Sequence, residues 1–175
     1  MKKHRFLIIL LFITGSLAAQ GPDFPAGWTG HWKGELQWFR AGKTEPVKVN
    51  MELDIRPRDS SGHYTWRIVY GSPSEDNRPY LLKPKDTVAG HWVIDEQNGI
   101  VLDQYYIGET FLGSFTVNEN TILSSMRKEG DRLYVEFIST GARSPGVTGL
   151  DTEESPRVLT YRVGSYQKAV LYRIK

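Results

Sequence analysis

The sequence contains no cysteine. That removes a disulfide framework, thiolate ligands for zinc or iron–sulfur clusters, and any thiol for attaching a lipid. Histidine is nearly as scarce, with 4 in 175 residues, so a histidine-based metal centre is short of donors. Helical patterning is missing too: nowhere do apolar side chains recur at i, i+3 and i+4 over a capped stretch. The longest apolar run falls well short of the ~20 residues a helix needs to cross a bilayer. No Gly-x-Ser-x-Gly elbow, phosphate-cradling glycine loop or other nucleophile signature occurs.

What the chain does have is two-residue alternation. In the stretch 30–38, Trp32, Gly34, Leu36 and Trp38 fall on one face and His31, Lys33, Glu35 and Gln37 on the other. Successive side chains of a β-strand point to opposite faces, so this is a strand with one dry side and one wet side. Val47, Val49, Met51, Leu53 and Ile55 alternate just as strictly with polar neighbours, and Tyr64, Trp66, Ile68 and Tyr70 follow after a turn cluster at 57–62. Residues 71–77 read as a loop and 79–83 as a short strand whose prolines mark an edge. A hairpin about Asn98-Gly99 joins 90–94 to 100–106. Strands at 111–117, 121–128 and 132–139 have links short enough only for antiparallel neighbours. Residues 141–156 read as the longest irregular loop, and 157–163 and 167–174, split at Gly164-Ser165, close the chain.

Strands of this kind must bury their dry faces together. The uninterrupted hairpin order predicts an all-β fold, a single antiparallel meander barrel of about 8–10 strands, over a sandwich with its longer connections. Residues 1–19 have the pattern of a signal peptide: Lys2, Lys3 and Arg5, an apolar centre at 6–13, and Ser16-Leu17-Ala18-Ala19, with cleavage expected after Ala18 or Ala19. The expected organisation is therefore a leader over 1–19 and one barrel domain over 20–175. The protein is expected to be periplasmic or secreted, with no transmembrane anchor in the mature chain. The leader holds three of the 22 Lys and Arg and none of the 20 Asp and Glu, which leaves 19 against 20, a net −1. That balance gives no reason to expect nucleic acid as a partner.

Thr29-Gly30-His31-Trp32 opens the first strand after an irregular stretch, and Arg173 lies on the last strand of an all-antiparallel meander. In these features the chain resembles the calycins, the superfamily of lipocalins, fatty-acid-binding proteins and avidins. The resemblance implies a barrel closed at one end, with Arg173 packed over Trp32, and a ligand held inside. Gly30, Trp32 and Gly34 also match the Gly-x-Trp-x-Gly of nitrobindin-type haem barrels. Leu36 stands where their next glycine falls, and no histidine follows His91, so their haem ligand has no counterpart and no cofactor is expected.

The dry faces carry a heavy aromatic load: Trp38, Tyr64, Trp66, Tyr70 and Trp92, joined by Phe111 and Phe115. Such a lining suits a flat or elongated apolar molecule, with tyrosine hydroxyls and indole N–H groups as the few orienting donors. The leading expectation is an exported lipocalin-like protein that binds a small hydrophobic or aromatic ligand through those seven residues. If the rings instead fill the core, the protein is a surface interaction module, and a barrel enzyme acting on a small apolar substrate is a further alternative. No catalytic residue stands out. His31 and His91 adjoin inward tryptophans and so belong to the wet face, and with His63 they form no metal-binding spacing. Glu35, Glu52, Asp54 and Glu136 lie in phase with lysines and arginines, as on solvated faces rather than in acid–base pairs. The loop 141–156, with Arg143, Asp151, Glu153 and Glu154, is a second place where binding groups could sit.

Overall fold

Alternating dry faces can all be buried at once if the sheet curls until its first and last strands meet, and the structure does this. The computed structural model describes residues 24–175, so the leader expected at 1–19 lies outside the described residues. The strands are β1 (Gly30–Arg40), β2 (Val47–Ile55), β3 (Tyr64–Tyr70), β4 (Asp76–Asp86), β5 (His91–Asp95), β6 (Val101–Ile107), β7 (Thr110–Val117), β8 (Asn120–Glu129), β9 (Arg132–Gly141), β10 (Gly146–Thr148), β11 (Val158–Thr160) and β12 (Val163–Ile174). Ten of them form a closed antiparallel barrel, and β10 with β11 forms a separate two-stranded sheet. The barrel is a meander from β1 to β9, and β12 then fits between β9 and β1.

The closing seam is long, running from His31 opposite Ile174 to Arg40 opposite Ser165. Gly34 makes this seam possible. A Cβ on it would lie 2.2 Å from the carbonyl oxygen of Val170, so only glycine lets β1 and β12 approach this closely.

Three expectations change in detail. Residues 79–83 are not a short edge strand but the middle of β4, which is paired with β3 on one side and β5 on the other. The prolines are tolerated for a local reason. β5 reaches β4 only from Leu81 onward, so Pro79 faces no ladder there and its carbonyl accepts from the Gln97 side chain, while Pro84 sits at the register shift between β4 and β5. Residues 141–156 are not wholly irregular, because β10 pairs there with β11 in a hairpin that leaves the barrel after β9. The break read at Gly164-Ser165 is a register shift inside a continuous β12, not a strand end.

Inward and outward residues separate along the barrel strands. Trp32, Leu53, Trp66, Leu82, Leu133 and Leu171 face in and are fully buried. Lys33 and Glu52 pair at 2.8 Å and Lys48 and Glu35 at 3.1 Å on the outer surface. On β1 and β2 these charged outer rows are the inverse of the lipid-facing apolar band of an outer-membrane barrel. Among the described residues no helix is long and apolar enough to cross a membrane.

Candidate functional site

The chain enters the barrel across one end, and that end is packed. The Phe24–Pro25 pair and a 3₁₀ turn at Ala26–Trp28 lie where β1 begins and β12 finishes. Phe24 stacks on Tyr106 at 4.7 Å and on Phe111 at 4.8 Å, and meets Trp28 and Trp92 edge-on at 5.0 and 5.3 Å. Trp66 reaches the same cluster through Phe111, 5.1 Å away, and Tyr64 packs against it.

Trp32 and Arg173 are directly opposite in the β1–β12 register. The Arg173 guanidinium lies 4.5 Å from the Trp32 ring centroid, and the indole N–H of Trp32 donates to the Trp28 carbonyl at 2.9 Å. Two guanidinium nitrogens of Arg173 donate to the carbonyls of Thr29 and Gly27, each at 2.9 Å. Its Nε stands 3.3 Å from Asp131, close enough for ion pairing but not aligned as a hydrogen bond. One side chain thus ties the last strand to the turn that plugs the barrel. The turn's half-buried carbonyls would otherwise lack these donors.

The other end is open. Between the inward faces of β1, β2, β3, β4, β7, β8, β9 and β12 lies a cavity of about 690 Å³. Leu36, Trp38, Val49, Tyr70, Phe115, Ile122 and Phe137 form its apolar wall, and Arg40, Asp76, Arg78, Asn118, Asn120, Ser139 and Gln167 add polar groups. Of the seven aromatic residues marked in the sequence, Trp38, Tyr70 and Phe115 line this cavity. Tyr64, Trp66, Trp92 and Phe111 belong instead to the packed cluster.

The polar groups are arranged unevenly. Arg78 grips Asp76 through two hydrogen bonds, Nε to one carboxylate oxygen at 2.9 Å and Nη2 to the other at 2.7 Å, and its guanidinium lies 4.8 Å from the Tyr70 ring centroid. That grip holds the Asp76 carboxyl below the usual carboxylate range, and it raises Arg78 against the opposing effect of burial. Burial pushes the Tyr70 hydroxyl up to about 12, which keeps it a neutral donor. Arg40 lies 5.2 Å from the Trp38 ring centroid. The Trp38 indole N–H is buried and has no hydrogen-bond partner.

Arg40, Asp76 and Arg78 were not marked in the sequence. Arg40 continues the phase of Trp32, Gly34, Leu36 and Trp38, so alternation alone could have found it. Asp76 falls within the stretch read as a loop and Arg78 just beyond it, so the inward phase of β4 went unseen. The three histidines among the described residues face outward and apart: His91 sits 2.6 Å from Asp103 and stacks on Tyr105, His31 lies 3.5 Å from both Glu52 and Asp54, and His63 lies 3.5 Å from Asp59. Among the described residues no group of three or more potential metal ligands occurs. Arg143, Asp151, Glu153 and Glu154 are exposed on or beside the β10–β11 hairpin, away from the cavity wall.

No protein-family model matches the chain, and no curated protein sequence does either. A similar solved structure is the crystal structure of a protein of unknown function from the DUF3598 family of Nostoc punctiforme, with a TM-score of 0.59 and 12% identity. The likeness covers 83% of this chain but 47% of that one, so this chain spans about half the length of its neighbour. At that identity the two share a fold, and nothing further follows.

Proposed function

We propose that the protein is an exported, calycin-like barrel that binds a small hydrophobic molecule in its open half. The observation that carries this reading is the cavity walled by Trp38, Tyr70, Phe115 and Phe137. Its volume, about 690 Å³, lies within the range of known ligand pockets, roughly 300–1,000 Å³. The end plug and the Arg173–Trp32 stack support the calycin comparison, since they leave one mouth for entry. The apolar outer concavity at Tyr105, Ile107, Leu112, Leu123 and Ile138 favours a second reading, a surface that meets another protein.

Mass spectrometry of protein extracted without fractionation tests the first reading directly. A small apolar molecule should be recovered with the folded protein, and titrating it into stripped protein should change tryptophan emission in the native chain but much less in Trp38→Phe. A reproducibly empty barrel, with no emission response to fatty acids, sterols or tetrapyrroles, overturns the reading. N-terminal sequencing of protein recovered outside the cytoplasm tests export, with a start after Ala18 or Ala19 expected.

A further inference from the structure

The cavity wall carries a charge and donor imbalance that its apolar character hides. Three charged side chains line it: Arg40, Asp76 and Arg78. Asp76 and Arg78 neutralise one another through their two hydrogen bonds. The Arg40 side chain makes no ion pair or hydrogen bond among the described residues, and its one contact of note is with the face of Trp38. The mouth therefore keeps one uncompensated positive charge beside its largest ring. One donor is left over as well, because the Tyr70 hydroxyl is neutral and has no protein acceptor among the described residues. The oxygens of Asp76, the one carboxylate in the wall, are both taken by Arg78.

We infer that the ligand is an organic anion, with its apolar body against Trp38, Phe115 and Phe137 and its single negative head at the mouth beside Arg40. The inference rests on the cavity being the binding site and adds the chemical class that it selects. A neutral molecule of the same shape would fill the wall but leave the Arg40 charge without a counterion. A cation would meet it directly and be repelled. The stacking of Arg40 on Trp38 already limits the guanidinium's freedom, so less is lost when it takes a partner.

Two fluorescent probes that share a ring system separate the possibilities: 8-anilino-1-naphthalenesulfonate, which carries the charge, and N-phenyl-1-naphthylamine, which does not. Each is titrated into the full mature chain at low and high salt. The anionic probe should bind about tenfold tighter, as expected for one charge-assisted hydrogen bond, and the preference should shrink as salt is added. Arg40→Gln should remove most of that preference while leaving the neutral probe's affinity within about twofold, because its apolar contacts are untouched. Phe115→Ala should weaken both probes, which places them in the cavity. Equal affinity for the two probes, or a preference that survives Arg40→Gln, overturns the inference while leaving the cavity reading standing. If neither probe binds, the cavity reading itself falls and the inference falls with it.

Discussion

At the closed end of the barrel, Phe24, Trp28, Trp66, Trp92 and Phe111 touch ring to ring, whereas at the open end Trp38, Tyr70, Phe115 and Phe137 line a cavity. The strands are the same strands and the alternation is unbroken along them. What differs is a segment from outside the sheet. Phe24 and Trp28 come from the N-terminal turn and fill the closed lumen, and among the described residues no corresponding side chain enters the mouth. The inward residues respond to this difference, turning from Trp32, Leu53 and Leu171 to Arg40, Arg78 and Gln167. Filling a barrel of this girth thus takes more than its own inward side chains, and where nothing is added a cavity remains.

The comparison breaks if both halves respond alike to truncation. Trp32→Ala and Trp66→Ala remove fully buried rings and should each cost about 3–5 kcal/mol, enough to unfold a domain of ordinary stability. Phe115→Ala removes a half-buried ring beside an existing space and should cost under about 2 kcal/mol. Chemical denaturation of the three variants checks this. Equal losses would mean that the open half is also a packed core.

Arg173→Ala comes next in size. It removes a stacked cation and two donors to half-buried carbonyls, and a loss of about 2–4 kcal/mol follows from those hydrogen bonds and the ring contact together. Arg173→Lys should recover only part, since an ammonium cannot span both carbonyls while lying flat on an indole. In a double-mutant cycle with Trp32→Phe, the coupling energy should be about 0.5–2 kcal/mol. Simple additivity would show that the contact contributes nothing to closure.

Much of the barrel could be read from the chain because period-2 alternation is a direct image of a sheet with two unlike faces. The strand around Trp32 and the run from Val47 to Ile55 are of this kind. The signal failed where a fold-level arrangement overrode a local one. Pro79 and Pro84 signal an edge to any local reading, and only the late start of β5 and a register shift explain how β4 accommodates them. The site was half legible for a related reason. Alternation says which rings face inward, but not at what height along the barrel, so Trp38 and Trp66 look equivalent in sequence. Height depends on the stagger of the strands and on Phe24 and Trp28, which belong to no alternating pattern.

The smallest stability effect sharpens the comparison most. Glu52 on the outer wall is held below its usual range by its hydrogen bond to Lys33, and Asp76 at the mouth is held down in the same way by Arg78. A carboxyl lowered on folding stabilises the protein above its unfolded value, near pH 4, and that contribution is lost as pH falls through the folded value. Both pairs are partly exposed, so each should contribute no more than about 1 kcal/mol, and Glu52→Gln and Asp76→Asn should lower the melting temperature at pH 7 by similar small amounts. Their effects on binding should differ. Losing Glu52 changes only the outer surface, whereas losing Asp76 frees Arg78 and leaves the cavity wall with two uncompensated guanidinium groups. Asp76→Asn should therefore tighten the anionic naphthalene probe severalfold at pH 7 and leave the neutral probe unchanged, and Glu52→Gln should move neither. If Asp76→Asn weakens the anionic probe, Asp76 serves to hold Arg78 in the position that binds the anion, and the two arginines act together.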